Sequence, residues 1–205
     1  MPKQVDAVAQ RRTIASAAIT VIGSAGIEGT RLRDVAAAAN VTTGAVTHYF
    51  DGKDAVLEAA FEEVVRRVLE SPVALPTTPG DIAECIDIFA VYLPLNDEGL
   101  GEWRVWLSFW ARAMNDARLR AVHQRYYSAI IERIAYRIAT IGGPTVTRTD
   151  LHARADAVLA AIDGVGCRAV LEPDSWPADR QRETLSRLLL PMLTAFAHET
   201  RSSDL

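Results

Sequence analysis

Apolar residues recur at three- and four-residue steps through most of this chain. Ile14, Ala17, Ala18, Val21, Ile22 and Ala25 mark one face of an amphipathic helix, and Gly26 and Gly29 interrupt it. Leu32, Val35, Ala36 and Ala39 mark a short second helix, with Thr30 placed to cap its start. A third helix is expected from about Thr43 to Phe50. A fourth begins after Asp51 and buries Leu57, Ala60, Phe61, Val64 and Val68. Pro72, Pro76 and Pro79 then mark a boundary, because repeated prolines cannot continue a helix. Five more helices are expected at about 81–93, 99–115, 117–141, 150–171 and 178–200. Their breaks are Pro94, Asn115-Asp116, Gly142-Gly143-Pro144, and Pro173 with Pro177. Period-two alternation with β-branched residues is absent over any useful length, so the pattern predicts an all-α chain of about nine helices.

The most informative junction lies between the second and third helices. Asn40 sits where the second must stop, and asparagine tolerates the left-handed backbone better than most residues. Thr42 is placed to cap the third helix, and Val41 with Val46 form a hydrophobic staple across its start. A tight turn between two short helices is the geometry of a helix-turn-helix. At about 100° per residue, Thr43, Gly44, Thr47 and His48 share one arc of the third helix, and Ala45, Val46, Tyr49 and Phe50 share the other. The first arc carries hydroxyls, a bare backbone and an imidazole, groups that can meet base edges or phosphates. Lys53 falls in the first turn of the fourth helix, where a cation opposes the helix dipole. A docked phosphate would account for that placement. The expected division is a helix-turn-helix DNA-binding domain over 1–52 and a C-terminal helical domain over 53–205. The fourth helix, 53–70, connects them.

Charge permits this function without demanding it. The chain has 205 residues and a net charge of −4. Residues 1–55 hold six basic and five acidic side chains, so the acidity lies in the remainder. Phosphate contacts depend on local charge. Cys85 and Cys167 are far apart and match no metal or disulfide spacing. With no signal-peptide core and no bilayer-length apolar run, a cytoplasmic location without membrane attachment is expected. His48, His123, His152 and His198 form no HExxH pattern, and P-loop, Rossmann and nucleophile-elbow motifs are missing. No catalytic residue, metal or cofactor is therefore expected.

In the C-terminal part, Trp103, Trp106, Trp110 and Met114 share a helical stripe. They form either plain core or the wall of a ligand pocket. The expected pocket lies among helices five to eight, bordered by some of Phe89, Tyr92, Trp103, Trp106, Trp110 and Tyr127, with Asp163 or Glu102 able to serve a cation. The eighth helix is rich in small residues (Ala153, Ala155, Ala157, Ala160, Ala161, Gly164, Gly166, Ala169), and the ninth offers Leu185, Leu188, Leu189, Met192 and Phe196. These two helices, about 150–171 and 178–200, are the expected homodimer interface, with intramolecular core as the alternative for some of their residues.

Residues 10–65 resemble the DNA-binding domain of TetR/AcrR-type transcriptional regulators. The likeness rests on Arg33-Asp34-Val35-Ala36, Ala39-Asn40-Val41-Thr42, His48-Tyr49-Phe50, and Lys53 with Leu57. It implies DNA contacts from Arg33, Thr43, Gly44, Ala45, Thr47, His48, Tyr49 and Lys53. The family pattern usually has glycine where Asn40 stands and often tyrosine where Thr47 stands. The segments 102–137 and 157–187 are similar to the C-terminal domain of BetI-like regulators, through Trp106-Leu-Ser-Phe-Trp110, Ile162-Asp-Gly-Val165 and Glu172-Pro-Asp-Ser-Trp-Pro177. That resemblance implies dimerisation through the last two helices and a small-molecule effector, with a cationic amine as the lead. The expected function is a ligand-responsive repressor that binds a palindromic operator as a dimer. The alternatives are a DNA-binding regulator or activator with no small ligand, and an enzyme or carrier that uses the aromatic residues without DNA.

Overall fold

The computed structural model describes residues 3–70, 81–142 and 146–202. Among these are nine α-helices, one 3₁₀ turn at Pro173–Ser175, and no strand. The helices are α1 (Lys3–Gly29), α2 (Leu32–Ala38), α3 (Thr43–Tyr49), α4 (Gly52–Glu70) and α5 (Ile82–Ala90). They continue with α6 (Asp97–Ala113), α7 (Ala117–Ala139), α8 (Arg148–Leu171) and α9 (Ala178–Ser202). No described helix is long and apolar enough to cross a membrane. The proline-bearing boundary at 71–80 and part of the Gly142-Gly143-Pro144 break lie outside the described residues.

The chain packs as two units. Among the described residues, the first joins 3–69 with 96–121, and the second joins 70 and 81–95 with 122–142 and 146–202. This division places α4 and α6 with the N-terminal helices, so packing divides the chain elsewhere than at residue 52.

In the first unit α1 packs mainly on α6, and α2 packs on both α1 and α3. Ile14, Ala18, Ile22, Val35, Val46, Leu57 and Phe61 form its apolar interior, as the helical spacing predicts. Gly23 of α1 crosses Gly101 of α6 so closely that a Cβ on Gly23 would lie 2.8 Å from the Gly101 Cα. Arg104 of α6 donates to the Gly23 carbonyl at the same crossing. Three residues before its end α1 breaks at Gly26 (φ 67, ψ 167), a conformation essentially reserved for glycine. Thr30 does not cap α2. Its hydroxyl donates to the Gly26 carbonyl at 2.7 Å, and the residue ahead of α2 is Arg31, which makes no side-chain cap. The Gly26 carbonyl, four residues back, also accepts the Thr30 N–H at 3.1 Å, so both donors of the threonine turn back to α1.

An ionic hub ties α1, α4 and α6. Arg66 grips the buried Glu63 through two bonds of 2.8 and 2.5 Å. Arg67 reaches Glu63, Glu102 (2.9 Å) and the Ser16 hydroxyl. The Arg66 bond holds the Glu63 carboxyl below its usual value against the effect of burial. Glu102 is raised, because its desolvation outweighs Arg67.

In the second unit α9 packs on α5 and α8. The α8–α9 connection is organised by Trp176, whose buried ring lies between the Arg168 and Arg180 guanidiniums at 4.6 and 4.7 Å. The buried Gln181 side chain donates to the carbonyls of Pro94 and Trp176. The Glu172–Pro177 motif is therefore a corner whose main chain is held by the side chains of the helices it joins.

Candidate nucleic-acid interface and ligand-facing groups

The α2–α3 turn is closed by backbone bonds. Asn40 takes φ 54, alone among the described non-glycine residues in having a positive φ. Its N–H donates to the Ala37 carbonyl (3.1 Å), and the Val41 N–H donates to that of Ala36 (2.9 Å). This pair of bonds ends a helix through a left-handed residue. One residue later the Thr42 hydroxyl accepts the Ala45 N–H at 3.1 Å and caps α3. The two helices are thus locked end to end within four residues.

α3 turns one face inward. Val46 is fully buried and Phe50 nearly so, while Ala45 and Tyr49 are half-buried. Thr43, Gly44, Thr47 and His48 are exposed together, as the helical wheel predicts. The Thr47 hydroxyl donates to the Gly44 carbonyl at 3.1 Å, so its oxygen is left to accept. The His48 and Tyr49 rings meet edge to face at 5.1 Å.

The basic residues around this face have main-chain and carboxylate partners. Lys53 Nζ donates to the carbonyls of Ile27 (2.9 Å) and Glu28 (3.2 Å) at the end of α1, with the Glu28 carboxylate 3.9 Å away. A cation in the first turn of α4 is thus explained within the chain: it lies at the negative end of α1. An ammonium has three donors, so one N–H remains for an anion. Arg33 is exposed and pairs with its neighbour Asp34 at 3.5 Å. Arg11 of α1, absent from the sequence-based set, donates to the Tyr49 carbonyl and stacks over Phe50. No local pattern signals it, since 38 residues separate Arg11 from Tyr49.

The six aromatic residues read as ligand-facing fall three to each unit. In the first, Trp103 and Trp106 are buried and Trp110 is half-buried. Trp106 packs on Phe61 (4.9 Å) and Trp110 (6.4 Å), while Phe61 stacks on Phe109 at 3.8 Å. In the second unit Phe89 is buried, and burial raises the Tyr92 hydroxyl despite a hydrogen bond from Arg133. Tyr127 of α7 directs its hydroxyl between both oxygens of Asp163 on α8, at 3.1 Å each, and its ring meets His123 at 4.0 Å. Asp163 is a half-buried carboxylate with no ion pair among the described residues, and burial pushes it up to about 6. Desolvation lowers His123. Buried Cys85 is pushed up to about 11, which leaves its thiol inert. Among the described residues no three metal-ligating side chains gather.

The two faces of α8 and α9 differ in exposure. Ala155, Ile162, Gly166 and Ala169, with Leu185, Leu189 and Phe196, are buried within their own unit. Ala153, Ala157, Ala160 and Gly164 on α8 are exposed, as are Leu188 (53%) and Leu190 (46%) on α9.

Comparisons with known proteins agree on this architecture. Residues 14–60 match the tetR family of bacterial regulatory proteins, and residues 85–194 match the C-terminal domain of BetI-type transcriptional repressors. The chain is 28% identical over 202 residues to the HTH-type transcriptional regulator BetI of Vibrio atlanticus (strain LGP32), covering 96% of this chain and 98% of that one. A transcriptional regulator from Rhodococcus sp. RHA1 superposes with a TM-score of 0.76 at 26% identity, over 90% of this chain and 96% of that one. A regulator from Saccharomonospora viridis, solved in complex with choline, shares the fold at a TM-score of 0.71 and 22% identity, over 89% and 96% of the two chains.

Proposed function

The chain belongs to the TetR family of transcriptional regulators, with a BetI-type C-terminal domain, and from that premise we propose that it is a ligand-responsive repressor. It binds a palindromic operator as a homodimer and releases it when a small cationic amine binds. The observation that carries the DNA-reading role is α3, which buries Val46 and leaves Thr43, Gly44, Thr47 and His48 exposed on one face. These residues, with Ala45 and Tyr49, are assigned to the major groove. Arg33 and the third N–H of Lys53 are assigned to phosphates. The exposed small-residue face of α8 and the Leu188 face of α9 are assigned to the dimer, whose two-fold axis imposes an inverted repeat.

The effector assignment is supported by Asp163, a half-buried carboxylate held by Tyr127 and paired with no cation among the described residues. A cationic ligand supplies the missing charge, and aromatic rings add about 0.5–2 kcal/mol each. Release then follows from differential affinity of the ligand for two conformations.

The test begins with in vitro selection of duplexes from a random library by the full chain. Mobility shifts with the selected duplex follow, with and without choline, together with sedimentation of the free protein. A dimer bound to an inverted repeat and released by choline is expected. A bound complex insensitive to choline and other amines leaves a regulator without such an effector. A monomer on a single half-site overturns the symmetric assembly.

A further inference from the structure

We propose that Arg11 is a positioning residue for DNA reading: it fixes the C-terminal end of α3 from α1 without gripping DNA itself. The proposal rests on the DNA-reading role assigned to α3 above. With seven residues, α3 is far too short to hold itself as an isolated helix. Its first turn is fixed by the Asn40 closure and the Thr42 cap, and its middle by Val46. Its last carbonyls have no partners within the helix. The Tyr49 carbonyl receives Arg11 Nη1 at 2.5 Å, and the same guanidinium lies 4.5 Å from the Phe50 ring centroid. One planar cation thus meets two consecutive residues by two different contacts, at the negative end of the helix. Arg11 itself stands on a firm base, one turn before buried Ile14 and Ala15 of α1.

This geometry predicts where the effect falls along α3. Thr47 and His48 directly precede the tethered residue. Thr43 and Gly44 sit beside the Thr42 cap, which Arg11 does not touch. Releasing the C-terminal end therefore swings Thr47 and His48 while Thr43 stays in place. A phosphate-gripping arginine would behave differently, weakening all sequences alike and lowering the salt slope by about one unit.

The experiment selects duplexes from a random-sequence library with the full-length wild type and with Arg11→Met, Arg11→Lys, His48→Ala and Thr43→Ala. Affinity for the wild-type duplex is then measured against salt, and melting temperature is recorded for each protein. Arg11→Met should bind about tenfold more weakly, the sum of one hydrogen bond and one ring contact. It should relax the base positions that His48→Ala relaxes, keep those that Thr43→Ala relaxes, and leave the salt slope unchanged. Arg11→Lys keeps the charge and a donor but loses the stacked plane, so it should recover part of the affinity. A reduced slope with uniform weakening makes Arg11 a phosphate contact and overturns the proposal. So does a general loss of melting temperature with every position relaxed. Identical enrichment by wild type and Arg11→Met overturns the proposal alone. A wild-type chain that enriches no sequence removes the DNA-reading role, and the proposal with it.

Discussion

Replacing Asp163 by asparagine should make the ligand-free protein more stable at neutral pH while weakening its response to a cation. The carboxyl is raised from 3.8 to about 6 by burial, and the Tyr127 hydroxyl only partly compensates. Because the folded-state pKa lies above the unfolded one, the folded protein holds an extra proton between those values. Stability therefore falls as pH rises through that window, and the whole penalty is present above pH 6. Moving a carboxyl over this range corresponds to on the order of 3 kcal/mol near neutral pH and about half of that near pH 5. This is a ceiling, since relaxation of the surroundings reduces it. Asparagine keeps an acceptor for Tyr127 but adds amide donors, which offset about 1 kcal/mol if they stay unmet. A net gain of about 1–2 kcal/mol near pH 7.5 remains, or several degrees in melting temperature for a chain of this size. Urea unfolding followed by circular dichroism measures it, near pH 7.5 and pH 5 and at fixed protomer concentration. The variant should be the more stable protein at the higher pH, with the gap closing toward acid. A variant less stable near pH 7.5, or a gap that does not change with pH, would refute a destabilising buried charge. On the effector role proposed for Asp163, the same variant should be less readily released from DNA by choline.

The Gly23–Gly101 crossing predicts an asymmetric pair of variants. Gly23→Ala puts a Cβ 2.8 Å from backbone and should cost about 1–3 kcal/mol in thermal unfolding. Gly101→Ala meets its nearest atom at 3.8 Å and should be tolerated, and equal effects would show that the helices separate freely. Lys53→Met removes two bonds to α1 carbonyls and should cost about 1 kcal/mol. It should also lower the salt slope of DNA binding by about one unit if the third N–H meets a phosphate, and an unchanged slope confines Lys53 to capping α1. Thr42→Ala should cost about 1 kcal/mol and weaken operator binding, with Thr42→Ser restoring both; a serine variant as weak as alanine would show that the hydroxyl is not what matters.

Local features of the fold were legible in the sequence because each depends on a few neighbouring residues. Asn40 and Thr42 announce their turn within four positions, and the period of α3 alone separates Val46 from Thr43 and Thr47. The cations resist such reading. Arg11, Lys53 and Arg104 each bond a carbonyl between 25 and 81 residues away in the chain, at the end of α3, at the end of α1, or near the break in α1. A carbonyl has no sequence signature, because every residue carries one. What selects these carbonyls is that a helix end or break frees them, and which distant side chain arrives is decided by packing alone. Thr30 resists local reading too: it stands where a cap belongs, yet its hydroxyl and its N–H both turn back to the Gly26 carbonyl. The tryptophan stripe of α6 was ambiguous for a related reason. Its period tells which face the rings share, while Phe61, which Trp106 meets, belongs to another helix. Asp163 was legible only in part: the sequence offered it, beside Glu102, as a carboxylate for a cation, without showing its surroundings. Its contact with the Tyr127 hydroxyl, on a different helix, is set by packing and leaves no local signal. Arg11 and Lys53, two of the basic residues near α3, are thus engaged in holding helix ends in place. If α3 reads DNA as proposed, both of these charges are already committed within the chain before DNA arrives.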